Sequence, residues 1–227
     1  NFETIVAAVE EGRLIFSNIK KVVGYVLSNS FAEIILIFGA MLLNFPPPLT
    51  VVQILWIHLI CDGPPDILLS FEPKEKSLMR EKPKALRREE ILSGPMRFLI
   101  ATISTVTGFL SLIFFWYFQS VTGDLNLART VAFATIASVS LIYIFAFKNF
   151  KKPIIRTENF FQNRYLFWGV AYGFLLLFGA IYIPGLNKIL KTTPLNLYQW
   201  LLVFCVGLIT ICCVEAVKLL EYFKRRE

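Results

Sequence analysis

The amino-acid sequence predicts an all-α membrane protein, a bundle of six transmembrane helices with an N-terminal cytoplasmic helical stalk. Of its 227 residues, 56% are hydrophobic and only 17% are charged, whereas soluble domains are nearer half apolar and a quarter charged. The apolar residues form long runs, and the charged residues are confined to the stretches between them. This composition excludes an ordinary soluble domain and a disordered chain. It also excludes nucleic acid as a partner, since no soluble fold with a basic face is visible.

The first element is the stalk. Residues 2–21 carry Ile5, Val9 and Ile15 among charged residues, which predicts an amphipathic helix. No proline separates this segment from the first apolar run, so we expect one helix that leaves the membrane and continues as a stalk. Residues 1–21 are therefore interpreted as the stalk and residues 22–227 as the membrane domain. A helix lying on the bilayer surface is the alternative.

Six apolar runs follow the stalk, each close to the roughly 20 residues that a helix needs to cross a bilayer core of about 30 Å. Short turns rich in Pro, Gly and Asn interrupt them on one side, and longer polar connections join them on the other. The predicted spans are residues 22–43, 49–71, 95–118, 128–147, 165–183 and 197–219. An even number of spans places both chain ends on one side.

The distribution of Lys and Arg predicts the orientation in the membrane. All but three of the 23 positive residues sort to the side that holds both termini, and the exceptions are Arg129, Lys188 and Lys191. Because cytoplasmic loops carry an excess of Lys and Arg, we expect both termini to be cytoplasmic. The net charge of +7 is then a signal of topology. The protein is expected to be a multi-pass protein of the plasma or cell membrane, with membrane lipids as its surroundings.

The first span contains polar residues that are unusual inside a bilayer. Ser28, Asn29, Ser30 and Glu33 interrupt its apolar run. Ionisable residues inside spans are costly and mark ion or substrate paths. Glu33 follows Asn29 by four residues and Ser30 by three, so the three oxygen-bearing side chains share one helical face.

The second span contains His58, Cys61 and Asp62, directly followed by Gly63 and two prolines. His58 precedes Asp62 by four residues, which predicts that the imidazole lies on the same face and hydrogen-bonds the carboxylate or contributes a nitrogen ligand. The prolines predict a broken helix, which is tolerated at membrane depth where it lines a cavity or binds ions. Asp66 and Glu72 lie nearer the cytoplasmic end and are expected to be solvated.

Two facing helices with Glu33, Asp62 and neighbouring neutral oxygens predict a site for a hard cation, since Ca²⁺ and Mg²⁺ bind carboxylate, amide and carbonyl oxygens. A carboxylate pair can also carry protons, because two close negative charges raise the pKa of one of them. The structural alternative is an interhelical hydrogen bond, which applies most readily to His58. A nitrogen ligand from His58 would suit transition metals better than Ca²⁺.

The four cysteines lie inside apolar runs, without the spacing of a disulfide framework or a zinc site. They are Cys61, Cys205, Cys212 and Cys213. We expect the last three to be buried small hydrophobic residues.

Several stretches make the sequence similar to a known family. Residues 1–13 (NFETIVAAVEEGR), 28–33 (SNSFAE) and 55–65 (LWIHLICDGPP) resemble the C-terminal membrane half of cation-transporting P-type ATPases, closest to the type II calcium pumps. Shorter matches are Lys82-Pro83, residues 91–94 (ILSG), Trp200-Leu201 and residues 215–218 (EAVK). The resemblance covers essentially the whole chain and implies that the spans are the fifth to tenth helices of such a pump.

The resemblance implies a metal site for the transported cation, with Ca²⁺ expected. Glu33 and Asp62 match the family's ion-binding carboxylates, and Asn29, Ser30 and His58 complete the predicted set. The sequence departs from the family at several site positions. Ser30 and His58 stand where calcium pumps usually carry Asn, Cys61 where they carry Thr, and Ser138 roughly where two-site pumps supply a Glu. These departures imply one ion per cycle, an altered selectivity or a site that has decayed.

The same resemblance implies that the chain needs the remainder of a pump as its partner. The family's Asp-Lys-Thr-Gly-Thr phosphorylation motif does not occur in the 227 residues. ATP and Mg²⁺ are expected only in missing phosphorylation, nucleotide-binding and actuator domains, and the first four helices are also missing. The chain has no starting Met, which we interpret as a sign of excision from a longer protein. By itself it is not expected to hydrolyse ATP.

Two other classes are compatible with six spans. A channel or secondary transporter predicts an internal repeat, and none is visible between the two three-span halves. A pump-derived structural or regulatory subunit would explain the departures at Ser30, His58 and Ser138. An Asp-Lys-Thr-Gly-Thr motif upstream of Asn1 would favour the pump.

Overall fold

A computed structural model describes residues 1–74, 79, 91–150, 153–154 and 160–224, and for residues 221–224 the backbone alone. All regular structure within these residues is helical, which confirms the predicted all-α class. Among the described residues, six helical segments are long and apolar enough to cross a membrane, in agreement with the six predicted spans. They are Phe2–Leu42, Val51–Leu69, Gly94–Thr122, Leu125–Lys148, Arg164–Tyr182 and Leu197–Leu220.

Helix α1, Phe2–Leu42, contains the predicted stalk and the first span in a single run of 41 residues. The Asn1 side chain caps its first turn by accepting from the Glu3 backbone N–H. The first half is largely exposed, and its buried positions begin at Asn18 and recur along one face. The absence of proline thus correctly predicts one continuous helix, while the cytoplasmic position of its first half stays a prediction.

The second span is broken into three pieces. Helix α2, Val51–Leu55, begins with a capping box of Thr50 and Gln53. A π-helix over Trp56–Cys61 follows, and after Asp62 the chain resumes as helix α3, Gly63–Leu69. Two prolines in the first turn of α3 lack the N–H groups that would continue the preceding helix. The predicted break at the Asp-Gly-Pro-Pro stretch is therefore confirmed.

The remaining spans pack around one central helix, the fourth span. Helices α4 (Gly94–Thr122), α5 (Leu125–Tyr143, continued by a 3₁₀ turn, Ile144–Lys148), α6 (Arg164–Tyr182), α7 (Leu186–Leu190) and α8 (Leu197–Lys224) follow in order. Helix α5 is the most enclosed span, packing against α4, α6 and α8. Helix α1 packs mainly against α4. Consequently, residues of α1, the broken span and α5 meet in the interior.

The cysteine prediction was wrong for α8. Cys205 and Cys212 are exposed and Cys213 is partly exposed, whereas Cys61 is buried. In a membrane protein the outward face of a span is as apolar as the inward face, because hydrocarbon replaces water as its surroundings. An apolar run around a cysteine therefore does not tell which face the thiol occupies.

The prediction that Glu72 is solvated was also wrong. Glu72 is only 6% exposed, and its Oε1 lies 3.2 Å from Lys148 Nζ. Asn163 Nδ2 donates to Glu72 Oε2 at 3.0 Å, and Asn18 Nδ2 of α1 donates to the backbone oxygens of Ser70 and Glu72 at 2.9 and 2.8 Å. These residues, here called the Glu72 cluster, tie the stalk end of α1 to the end of the broken span and to the start of α6.

Candidate ion-binding site

Helix α1 supplies the first half of the site. Asn29 and Glu33 are 2% and 6% exposed and lie one turn apart on its buried face. Nearby, Gly108 of α4 lies so close to α1 that an added Cβ would be 2.9 Å from the Ala32 carbonyl oxygen. Gly108 thus permits a close approach of α1 and α4 at Ala32. Because the side chains of Asn29 and Glu33 are almost fully buried, their polar groups depend on protein partners or on a bound ion.

The break in the second span supplies the other half. Asp62, 1% exposed, lies between the π-helix and α3. Its Oδ2 accepts a hydrogen bond from Asn29 Nδ2 at 2.6 Å, and its Oδ1 accepts one from Ser140 Oγ of α5 at 2.8 Å. Three separate helical segments therefore hold one buried carboxylate. Charge-assisted hydrogen bonds of this kind fix the orientation of an ionised group.

His58 contacts a different carboxylate from the one predicted. Its Nε2 lies 3.0 Å from Glu33 Oε2. The structure therefore has the interhelical hydrogen bond that the sequence left as the alternative, and the predicted bond from His58 to Asp62 is not formed. The physical reason is the π-helix, in which hydrogen bonds join residues five apart and the side chains of residues four apart no longer stack. The local winding turns His58 toward α1 and leaves Asp62 to Asn29 and Ser140.

Two buried oxygens of the site residues have no hydrogen-bond partner in the described part of the chain, Asn29 Oδ1 and Glu33 Oε1. The buried Oγ of Ser138, two residues before Ser140 in α5, is also unpaired there. Leaving a buried polar atom unsatisfied costs about 1–3 kcal/mol, so such atoms in a native fold call for a ligand, an ion or a functional role. Carboxylate, amide and hydroxyl oxygens are the ligands that hard cations take. The unpaired atoms thus fit a cation as cargo.

The structure brings together four of the five predicted metal-site residues, Asn29, Glu33, His58 and Asp62. Ser30 is half-buried beside them. Across the residues that the structure describes, no group of three or more His, Cys, Asp or Glu side chains is arranged to hold a metal by itself. Ion binding by these five residues stays a prediction.

Sequence reasoning missed Ser140. The signal was present, because α5 carries Thr135, Ser138 and Ser140 inside an otherwise apolar span and all three are buried. Their hydroxyls are common in membrane helices, where they usually bond to the carbonyl one turn earlier, as Thr135 does here. Ser140 Oγ also lies 2.8 Å from the Ala137 carbonyl oxygen in its own helix, so only its second contact, with Asp62 Oδ1, distinguishes it from a locally bonded hydroxyl.

The prediction that Asp66 is solvated was only half right. Asp66 is partly exposed, but its Oδ1 is buried and has no hydrogen-bond partner among the described residues. Asp66 lies one turn beyond Asp62, in the first turn of α3. The second span therefore carries a second carboxylate after its break.

Comparison with known proteins identifies the family. The profile of the family described as "Cation transporting ATPase, C-terminus" matches residues 46–220. The chain is 36% identical to calcium-transporting ATPase 1 of Bacillus cereus, an alignment that covers 96% of this chain and 26% of that protein. It is 33% identical to the calcium-transporting ATPase of Bacillus subtilis, over 89% of this chain and 23% of the relative. With calcium-transporting ATPase type 2C member 1 of Homo sapiens it shares 32% identity over 100% of this chain and 24% of the relative.

The chain spans about a quarter of the length of these relatives. The matched family and the buried carboxylates on two facing spans agree with the resemblance found in the sequence. This chain belongs to the cation-transporting ATPases and corresponds to their C-terminal transmembrane region.

Proposed function

We propose that this chain is the ion-binding membrane half of an ATP-driven pump that transports Ca²⁺. The relatives named above are calcium-transporting ATPases. The observation that carries the proposal is the pair of buried carboxylates, Glu33 and Asp62. One oxygen of Glu33, Oε1, and the amide oxygen of the adjacent Asn29 are unpaired within the described residues. A hard dication that takes oxygen ligands matches this charge and these atoms.

Each polar partner has a defined part in binding. The amide of Asn29 donates through Nδ2 to Asp62, which leaves its Oδ1 for the cation. The Ser140 hydroxyl orients the other Asp62 oxygen, and His58 holds Glu33 Oε2 while Oε1 stays unpaired. Two carboxylates in a medium of low dielectric repel each other, and a dication between them removes that repulsion. Binding is therefore strongest when both carboxylates are ionised.

We further propose that α1 couples this site to domains outside the chain. A 41-residue helix is about 60 Å long at 1.5 Å per residue, and it runs unbroken from the stalk to Glu33. Phosphorylation, nucleotide-binding and actuator domains, together with four further helices, would be the partners, and ATP and Mg²⁺ would bind there. A movement of the stalk would then reach Asn29 and Glu33 directly.

A single Ca²⁺ per cycle is the stoichiometry that the described residues support. The two carboxylates of Glu33 and Asp62 balance one dication, and the buried Ser138 adds a neutral hydroxyl where a two-site pump would place a second charge. Binding of radioactive Ca²⁺ to the complete pump is expected to saturate at one ion per phosphorylation site, with a Hill coefficient of about 1. A stoichiometry of two would contradict this assignment.

We propose a multi-pass protein of the cell membrane with both termini cytoplasmic, on the distribution of Lys and Arg. Cysteines introduced at the exposed positions Lys74 and Lys188 are expected to react with an impermeant thiol reagent from opposite faces of sealed vesicles. The native cysteines are replaced by Ala for this assay. Labelling of both positions from one face would overturn the topology.

The decisive experiment uses the complete pump that carries this chain. Glu33→Gln and Asp62→Asn are each expected to abolish Ca²⁺-dependent formation of the phosphoenzyme from ATP, because each removes a ligand charge. The matched control is Glu11→Gln, the same substitution at an exposed position of the same helix, which should leave the phosphoenzyme at the wild-type level.

Wild-type Ca²⁺ dependence in both site variants would reduce the carboxylates to structural contacts between helices. A wild-type protein that forms no phosphoenzyme with any cation tested would instead favour a pump-derived structural or regulatory subunit.

A further inference from the structure

Three polar side chains form a second layer on the stalk side of the proposed ion site. Tyr25 precedes Asn29 by four residues in α1, Asp66 follows Asp62 by four in α3, and Tyr143 ends α5 three residues after Ser140. Residues three and four apart lie above one another on a helix. Because α1 runs away from the stalk while α3 and α5 run back toward it, all three spacings lead to the same side.

The members of this layer lie next to one another. The ring centroids of Tyr25 and Tyr143 are 5.4 Å apart, and the two residues are 1% and 0% exposed. Asp66 lies in α3, which packs against α1 and against the 3₁₀ turn that follows Tyr143. The layer is therefore continuous with the Asp62 site.

Two of the three polar groups of this layer are unpaired. In the part of the chain that the structure describes, the Tyr143 hydroxyl and Asp66 Oδ1 have no hydrogen-bond partner. Buried tyrosine hydroxyls usually find a partner. The Tyr25 hydroxyl faces Asp62 and Ser140 and so connects this layer to the ion site.

We propose that Asp66, Tyr25 and Tyr143 form a stalk-side subsite that holds the transported cation before it reaches Asp62. The inference rests on the proposed function, because it assigns the approach to the same ion site. Asp66 supplies the charge and one inward oxygen, and the phenols supply neutral oxygens. The partly exposed side of Asp66 leaves room for waters that the cation has not yet lost.

The spacing also defines the next step. Asp66 and Asp62 are one turn apart, about 6 Å along the axis of the helix, so the cation passes from one carboxylate to the next without crossing an apolar gap. At the second position it exchanges its remaining waters for Asn29 and Glu33 oxygens. Asp66 thus speeds the arrival of the cation and Asp62 retains it.

The test is Asp66→Asn in the complete pump, with Ca²⁺ as the probe. We expect the Ca²⁺ concentration for half-maximal phosphoenzyme to rise about tenfold, and the rate of Ca²⁺ binding to fall by a similar factor, since one ligand charge is lost. The maximal phosphoenzyme level at saturating Ca²⁺ should not change. Asp124→Asn, an exposed helix cap on the opposite side, is the matched control and should change neither.

Two conservative variants test the phenols. Tyr25→Phe and Tyr143→Phe keep both rings and remove only the hydroxyls, and each is expected to raise the half-maximal concentration about two- to threefold. If Asp66→Asn does not fold, Asp66→Glu and the double Phe variant decide. A wild-type-like affinity in Asp66→Glu with a weakened affinity in the double Phe variant supports the subsite.

Unchanged affinity and binding rate in Asp66→Asn, or in the double Phe variant where that one decides, would overturn the subsite. That failure differs from a failure of the proposed function, in which the wild type itself forms no Ca²⁺-dependent phosphoenzyme or the Glu33 and Asp62 variants keep it.

Discussion

Glu33 and Glu72 are equally buried, each 6% exposed, but their surroundings differ. Both oxygens of Glu72 have partners, Lys148 on one and Asn163 on the other. Glu33 has His58 on Oε2 only, and its Oε1 is unpaired within the described residues. Glu72 thus has a fixed counter-charge, Lys148, within the chain. Glu33 has no lysine or arginine at hydrogen-bond distance among the described residues.

This difference separates a structural ion pair from a site for an exchangeable ion. A buried carboxylate is tolerated when a cation lies beside it. Lys148, with a side chain only 1% exposed, is a permanent counter-charge for Glu72 and helps hold the end of the broken span and the start of α6 together. At Glu33 and Asp62 the counter-charge would be a cation that binds and is released again, as a transport cycle requires. Substitutions in the two regions should therefore affect different measured quantities.

The largest effect is expected from Lys148→Met, which leaves Glu72 buried without its counter-charge. Breaking a buried pair in this way costs about 3–5 kcal/mol, to be measured as the free energy of unfolding in an SDS titration of the protein in detergent micelles. The double variant with Glu72→Gln should recover most of the loss. Asp62→Asn, in contrast, should lose function without a comparable loss of stability. A Lys148→Met variant as stable as the wild type would contradict the distinction.

A second substitution, Asn29→Ala, tests the support of Asp62. It removes the 2.6 Å hydrogen bond to Asp62 and one proposed ligand oxygen. A hydrogen bond to a charged group contributes about 1.5–3 kcal/mol, so the Ca²⁺ affinity of the complete pump should fall roughly ten- to hundredfold. Equilibrium binding of radioactive Ca²⁺ measures it. Ser17→Ala, on the stalk part of the same helix, is the control, and an equal loss there would point to a general effect on α1.

The importance of the π-helix for the ion site can be tested by a substitution in α6, which packs against it. A Cβ at Gly173 of α6 would lie 2.9 Å from the Cys61 carbonyl oxygen and 2.6 Å from Leu141 Cδ2. Gly173→Ala should therefore displace the π-helix, at a cost of about 1–3 kcal/mol, and weaken Ca²⁺ binding through the adjacent Asp62. At Gly12 an added Cβ meets nothing within 4 Å, so Gly12→Ala should stabilise α1 by up to about 1 kcal/mol. Wild-type Ca²⁺ binding in Gly173→Ala would show that the winding before Asp62 does not matter.

The smallest effect is expected at His58. As an imidazolium it would pair with Glu33 and repel the incoming cation, so acidification should weaken Ca²⁺ binding. His58→Asn is expected to flatten the dependence of Ca²⁺ affinity on pH between about pH 6 and 7.5, where an ordinary histidine changes charge. It should also shift the preference among cations toward Ca²⁺, since it replaces nitrogen with oxygen. An unchanged pH profile and an unchanged ion preference would leave His58 as a contact between two helices.

The site was predictable as far as it depends on helical periodicity. Asn29 and Glu33 share a face of α1 because α1 is a regular helix, and its spacing of four residues applies. The same rule failed for His58 and Asp62, because the chain between them winds as a π-helix. The two prolines signalled a break but not its form, and the partner of His58 changed as a result.

Composition and the positions of Pro, Gly and charged residues were enough by themselves to predict the fold class, the six spans and the burial of Glu33 and Asp62. These follow from local physics, since a bilayer demands long apolar helices and penalises each ionisable group inside them. Only the tertiary structure decided that Glu72 pairs with Lys148, that Ser140 supports Asp62, and that Cys205 and Cys212 face outward. Residues 70 to 80 positions apart in sequence meet in these contacts, and in a membrane the inward and outward faces of a span are equally apolar, so no local pattern reports which residues will meet.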